Sequence, residues 1–376
     1  MPGLDRDDRR LNEPSRLNPI RLLEPYLYYG LPLSTMQPRW FLIGAALVAL
    51  SLPGVQCRIE WLKFDQNPVL AEGPEGSWDG GEVISVSPLR EGEIYRMWYS
   101  ADNGSELSGI GLATSVDRIH WTKSPFNPVL SNGPDAYDSG YVFAPCVLRD
   151  SEGYKMWYVG SDPEGVWTVC LATSVDGTSW TKHPQNPVLT PGPGWCDARN
   201  AGDPWVIFDD GLYKMWYTAL NRTYLIAYAT SRDGVHWTKV GPVLEPSMEG
   251  PDSSSVRGPC VLRTAEGYEM WYRGIGITSR SWTVCYAISP DGVNWERYAQ
   301  NPVLEGQSGG WDAKLWFPRV IREEDRYSMW YTSTDSGVGQ VGYAYLKIPE
   351  QLCAATVAGL VLCSCAQGST QHRRNG

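Results

Sequence analysis

The stretch "EGYKMWYVGSDPEGVWTVCLATSVDGTSWTKHPQNPVL", residues 152–189, decides the fold because its parts return along the chain. The tripeptide MWY begins at 97, 156, 215, 270 and 329, in steps of 59, 59, 55 and 59 residues. NPVL begins at 67, 127, 186 and 301, and GPVL at 241. Between them stand "ATSVDRIHWTK" (113–123), "ATSVDGTSWTK" (172–182), "ATSRDGVHWTK" (229–239) and "AISPDGVNWER" (287–297). Each of the first four copies reads as an apolar strand, a turn, the MWY strand, a loop, a YA/LA strand, an Asp-Gly turn (Asp-Arg in the first copy) and a Trp strand. Asp-Gly between alternating apolar runs is a strong hairpin signal. A repeated unit of four short strands is a propeller blade, so five copies predict an all-β, five-bladed β-propeller.

The fifth copy stops at "VGYAYLKI" (341–348), with neither an Asp-Gly turn nor a Trp strand after it. The missing piece stands at the other end of the chain. "IEWLKFDQNPVL" (59–70) matches "SWTKHPQNPVL" (179–189), with Trp61 in the place of Trp180. The N-terminal strand is therefore expected to close the last blade, tying the ring together and removing its open edge. Three regions follow: an N-terminal extension and signal peptide (1–57), the propeller (58–348) and a C-terminal tail (349–376).

The chain has 376 residues, enough for one large domain or two ordinary ones. Its net charge of −10 argues against a nucleic-acid partner, which would require a basic face. Trp 18 and Tyr 21 against Phe 6 is an unusual aromatic profile, suited both to strand packing and to sugar stacking. Nine cysteines show no C-x-x-C pattern, and with four histidines a zinc site is not expected. Cys146/Cys170 and Cys260/Cys285 fall at matching places in two copies and read as buried apolar thiols. No metal or other cofactor is expected.

Residues that recur in every copy are most simply structural; those that differ in one copy need another reason. Position eleven before the Met of MWY aligns Val86, Pro145, Pro204, Pro259 and Pro318. The residue just before is Ser85, Ala144, Asp203, Gly258 or Phe317, so one copy alone carries an acid there. Further upstream in these strands stand Glu82, Tyr141, Phe143, Asn200, Arg257, Lys314 and Trp316, all blade-specific. Inner strands crowd a central channel, so these side chains are expected to line a concave site. Asp203 is the candidate general acid, base or nucleophile, against a structural reading as a turn cap or an Arg partner. Glu82 is a candidate second carboxylate, or half of a salt bridge with Lys314 or Arg257. Arg257, Arg273, Arg199 and Lys314 are candidate binders of an anionic sugar or phosphate, with Asn200 beside them. Tyr141, Phe143 and Trp316 are candidate stacking platforms or core aromatics. Asp79, Asp138, Asp197 and Asp312 recur and read as structural turn residues, while Asp209 and Asp210 read as a solvated hairpin turn.

"GDPWVIFDDGLYKMWYTA" (202–219) resembles the "DP…F.D.G.YY" signature of the five-bladed propeller glycosidases. These are the arabinanase/β-xylosidase family 43, the invertase family 32 and the mannoside phosphorylase/hydrolase family 130. The resemblance spans roughly residues 58–348 and implies that Asp203 is a catalytic or transition-state carboxylate. It departs from family 43 in two places, with Cys146 where that family has an Asp and Arg257 where it has a Glu. Family 130 suffers less from those departures, because its members rely on one principal Asp and its phosphorylases bind phosphate through basic side chains. The "S-x-D-G-x-x-W" turns resemble the sialidase Asp-box less one residue, and are structural in both.

The implied function is an exported carbohydrate-active enzyme that cleaves glycosidic bonds by hydrolysis or phosphorolysis. The alternatives are a propeller that binds glycans without catalysis and a scaffold for a protein partner. Export rests on "MQPRWFLIGAALVALSLPGVQC" (36–57), read as a signal peptide starting at Met36, or else an N-terminal membrane anchor. Gln56 fits poorly as the small residue that a lipid-modified Cys57 would require. The expected location is secreted or periplasmic.

Overall fold

The computed structural model describes residues 59–104, 108–333 and 339–348. The expected signal segment, Cys57 and the C-terminal tail lie outside the described residues.

Five antiparallel sheets repeat one plan. Blade one runs β2 (Glu82–Glu91), β3 (Ile94–Asp102), β4 (Ser108–Ser115) and β5 (Thr122–Lys123), with β6 (Leu130–Ser131) also pairing β4. Blade two runs β7 (Tyr141–Asp150), β8 (Gly153–Ser161), β9 (Trp167–Ser174) and β10 (Thr181–Lys182). Blade three holds β11 (Asn200–Asp209), β12 (Leu212–Leu220), β13 (Tyr224–Ser231) and β14 (Trp237–Leu244). Blade four holds β15 (Ser255–Arg263), β16 (Tyr268–Ile275), β17 (Trp282–Ser289) and β18 (Glu296–Arg297). Blade five holds β19 (Leu315–Arg322), β20 (Arg326–Ser333) and β21 (Gln340–Lys347), and its outer strand is β1 (Leu62–Lys63). The first strands touch in the cyclic order β2, β7, β11, β15, β19 and back to β2, so they form the hub.

The closure read from the sequence is present. Leu62 pairs with Tyr345 and Lys63 with Ala344. Side-chain packing carries the equivalence further. Each outer-strand Trp makes an edge-on contact with the MWY Trp of the preceding blade: Trp121 on Trp330, Trp180 on Trp98, Trp237 on Trp157, Trp295 on Trp216 and Trp61 on Trp271. Trp61 and Trp271 lie 6.3 Å apart at 85°, so the N-terminal segment completes the fifth pair. Burial of such a ring stabilises by roughly 3–5 kcal/mol relative to Ala.

The recurring aspartates are structural, as expected. Each is buried and accepts from its blade's MWY tyrosine: Asp79 from Tyr99, Asp138 from Tyr158, Asp197 from Tyr217, Asp252 from Tyr272 and Asp312 from Tyr331. An outer-strand cation joins each one: Lys123, Lys182, Lys239, Arg297 and Lys63 in that order. Asp252 stands 18 residues before Met270, as Asp79, Asp138 and Asp197 stand before Met97, Met156 and Met215, and the sequence reading missed it. Burial alone would raise the Asp79 carboxyl, but hydrogen bonds from Lys123 and Ser77 hold it below its ordinary value. Asp209 corrects the sequence reading: its Oδ2 accepts from Lys214 at 2.5 Å and from Tyr268 at 2.6 Å, clamping blades three and four. Asp210 beside it is exposed, as a turn residue should be.

The asparagine of NPVL also has a local reason. Asn127 accepts from the Leu112 amide at 2.7 Å and donates to its carbonyl at 3.0 Å, replacing a strand partner with a side chain. Asn186, Asn301 and Asn67 do the same for Leu171, Tyr286 and Tyr343. Blade three has Gly241 there instead, and its outer strand runs on for eight residues, six of them paired with β13.

Candidate active site

Every inner strand carries a register shift near the aligned proline position. In blades two to five the residue before that proline adopts a positive φ: Ala144 at 50°, Asp203 at 46°, Gly258 at 58° and Phe317 at 35°. A bulge of this kind re-aims a side chain that would otherwise follow strand alternation. Asp tolerates the left-handed region better than bulkier residues do. Asp203 is fully buried, and among the described residues neither of its carboxylate oxygens has a hydrogen-bond partner.

Three guanidinium groups surround it. Arg257 Nη2 lies 3.9 Å from Asp203 Oδ2, which is charge attraction without a hydrogen bond. Arg273 pairs with Arg257 across β15 and β16. Arg273 is 2 % exposed, and among the described residues none of its three side-chain nitrogens has a hydrogen-bond partner. Burial first, and then the neighbouring charge of Arg257, push the Arg273 guanidinium well below its ordinary pKa, while Asp203 acts the other way. Arg319 is wholly buried, and burial lowers its pKa also, opposed in part by the field of Asp203.

Aromatic rings wall these charges. Arg257 stacks on Tyr224 at 3.8 Å and lies 5.4 Å from the Trp167 ring. Arg273 stacks on Trp316 at 4.2 Å and lies 4.9 Å from Trp282. The rings pair among themselves: Trp282 with Trp316 at 4.6 Å, and Trp167 with Phe143 at 5.2 Å. Aromatic faces cover the flat sides of the guanidinium groups, which leaves their N–H edges to bind a ligand. Gly202 permits the approach of Trp167, because a Cβ there would stand 3.1 Å from Trp167 Cε3 and 3.2 Å from Val159.

The structure thus brings together Asp203, Arg257, Arg273, Phe143 and Trp316 from the sequence reading. Asn200 joins them through its Oδ1, which accepts from the Trp167 amide at 3.1 Å. Tyr141, Arg199 and Lys314 lie exposed at the starts of their inner strands or just before them. Glu82 does not meet Asp203 among the described contacts. It opens β2, pairs in register with Asp102, and its carboxyl is raised by burial and then by the Asp102 charge. No ion pair joins Glu82 to Arg257 or Lys314 among the described residues.

Sequence reasoning missed Trp167, Tyr224, Trp282 and Arg319. The first three open the third strands of blades two, three and four, where blades one and five have Ser108 and Gln340. That asymmetry was readable, but only a hub-centred view shows that third-strand ends reach the site. A cavity of about 450 Å³ elsewhere, lined by Tyr137, Asp162, Glu164 and Thr168 among others, contains none of the candidate residues.

Comparison with known proteins gives four findings. The family model described as β-1,4-mannooligosaccharide phosphorylase, glycoside hydrolase family 130, matches residues 156–317, a span that includes Asp203, Arg257, Arg273 and Trp316. An uncharacterized protein of Mycobacterium tuberculosis is 28% identical over 304 residues, covering 75% of this chain and 97% of its own. A 1,2-β-oligomannan phosphorylase of Thermoanaerobacter is 23% identical, covering 75% of this chain and 96% of its own. Among solved structures, the β-1,2-mannobiose phosphorylase of Listeria innocua shares the fold with a TM-score of 0.63. It is 16% identical, and 79% of this chain and 99% of that one are covered. The resemblance to the five-bladed propeller glycosidases stands, with family 130 the branch whose model matches.

Proposed function

We propose that the protein is a carbohydrate-active enzyme that cleaves a mannosidic or similar glycosidic bond by phosphorolysis, with Asp203 as the general acid. One observation carries the reading: a buried guanidinium, Arg273, has every donor unpaired beside a buried carboxylate with both oxygens unpaired. Buried polar groups are otherwise almost always satisfied, so this constellation is built for an oxyanion and a hydroxyl-rich ligand. Hydrolysis requires a second carboxylate to activate water. Phosphate needs no such base, because its oxygen is already a nucleophile.

In this mechanism Arg257 and Arg273 hold phosphate by their N–H edges, and the aromatic walls orient the sugar. A phosphate oxygen forms a bond to the anomeric carbon as the glycosidic C–O bond breaks. Asp203 gives its proton to the departing oxygen, directly or through a substrate hydroxyl, and recovers one from solvent. The products are a sugar 1-phosphate and a glycan one residue shorter. The names of the family and of the relatives support mannosides as the first substrates to try.

The test is a screen of β-1,2- and β-1,4-mannooligosaccharides with and without inorganic phosphate, using wild type beside Asp203→Asn. Phosphate-dependent release of sugar 1-phosphate, lost in the variant, supports the reading. Cleavage indifferent to phosphate, or surviving the substitution, overturns it. The segment 36–57 supports export as part of the same proposal, and N-terminal sequencing of the protein recovered outside the cytoplasm tests it.

A further inference from the structure

The hub is laced by one residue per blade, the residue after the aligned proline position: Ser87, Cys146, Trp205, Cys260 and Arg319. Ser87 Oγ accepts from the Val147 amide of the next blade at 2.9 Å. Cys146 and Cys260 Sγ accept from the Val206 and Val320 amides, each at 3.2 Å. Trp205 instead donates Nε1 to the Val261 carbonyl at 2.7 Å. Blade five meets a special neighbour. The residue of blade one that matches Val147 is Pro88, 59 positions earlier, and proline has no N–H to give. A hydroxyl or thiol at 319 would find no donor there, and Arg319 donates to the Val86 carbonyl at 3.2 Å instead.

Arg319 does more than close the lacing. Its Nη1 donates to the carbonyls of Pro259 at 2.9 Å, Pro318 at 3.3 Å and Gly258 at 3.4 Å. Its guanidinium lies 5.0 Å from the Trp205 ring and 5.6 Å from Phe317. One wholly buried side chain thus touches the bulge that carries Asp203, the bulge that carries Arg257, and the bulge that carries Trp316. Backbone carbonyls fix it at four points, and it makes no direct contact with the Asp203 carboxylate among the described hydrogen bonds and ion pairs.

We infer that Arg319 is a positioning residue that holds the strands bearing Asp203, Arg257 and Trp316 in the register the reaction requires. The inference rests on the proposed phosphorolysis for its kinetic form, though its geometric form does not. Two roles of the side chain are separable. Lacing blade five to blade one can be restored by Pro88→Ala with Arg319→Ser, which recreates the Ser87–Val147 arrangement. The ties to Gly258, Pro259 and Pro318 are not restored by that pair.

The experiment compares wild type, Arg319→Met, Arg319→Lys and the double variant Pro88→Ala/Arg319→Ser. Melting temperature, kcat and KM for phosphate and glycan, and the crystal structures of wild type and double variant are measured. The expected result is a double variant that melts close to wild type yet loses about 30-fold or more in kcat, with a smaller change in the KM for glycan. Arg319→Lys is expected to fall between wild type and Arg319→Met in kcat. The inference is overturned if the double variant recovers kcat along with its melting temperature, because Arg319 then only closes the ring. Absence of any phosphorolysis by wild type sinks the proposed reaction instead. The crystal structures then decide the inference, which fails if the φ of Asp203 and the 3.9 Å approach to Arg257 are the same in both.

Discussion

Replacing Arg273 by Met is predicted to make the protein more stable without phosphate and less stable than wild type with it. Arg273 is 2 % exposed, makes no hydrogen bond and faces a second cation, Arg257. The effective cost of burying such an ion is several kcal/mol. Stacking on Trp316 and Trp282 offsets it by about 1–2 kcal/mol each, and Asp203 attracts it in part. Met keeps the unbranched stem and packs against the same rings. The difference is roughly 1–3 kcal/mol in favour of Met, or roughly 2–10 °C for a domain of this size. Phosphate at a thousandfold excess over its dissociation constant stabilises the wild type by about 4.1 kcal/mol, which exceeds that difference, and the variant by far less. Thermal unfolding of both proteins in chloride and in phosphate at equal ionic strength reads the crossover. A variant that melts lower than wild type in chloride, yet gains the same phosphate shift, refutes the argument that Arg273 is an anion-binding group held at a cost to the fold.

Three further outcomes are expected. Trp61→Ala should lower stability by roughly 3–5 kcal/mol, matching Trp180→Ala in the same denaturant titration, if the N-terminal segment is a true blade strand. Gly202→Ala should leave the melting temperature nearly unchanged but raise the KM for glycan about tenfold, because its Cβ would press on Trp167. On acidification, stability should hold above the ordinary carboxylate range and fall as pH drops through the lowered pKa values of Asp79, Asp209 and Glu323. These groups are charged and partnered in the folded state and bind protons more readily when unfolded, so the loss lies on the acid side. Unfolding followed by intrinsic fluorescence between pH 6 and about 2 checks the sign.

Much of the fold was legible because repetition exposes it. MWY, the Asp-Gly turn and NPVL recur with near-constant spacing, and the strand missing at one end reappears at the other. The structural role of Asp79 and its counterparts was also readable, since a residue needed in every blade serves every blade, but their burial was not. The candidate site was legible where the repeat breaks near the hub, as at Asp203, Arg257 and Trp316 on inner strands and at Arg273 on β16. Trp167, Tyr224 and Trp282 escaped because they break it on third strands, whose ends reach the hub only in three dimensions. Glu82 also breaks the symmetry, but at the start of its inner strand, where Tyr141 and Lys314 are exposed and where it pairs in register with Asp102.

The chain's own residue order determines the blade count, the closure and the identity of the odd acid, because local hydrophobic period and turn chemistry act over short separations. Tertiary structure alone decides that Arg273 is left without a partner, that rings cover the faces of two guanidinium groups, and that Arg319 reaches three bulges at once. Those facts depend on side chains distant in sequence, most of them from different blades, meeting at one axis, where desolvation and geometry, rather than residue type, set what each group can do.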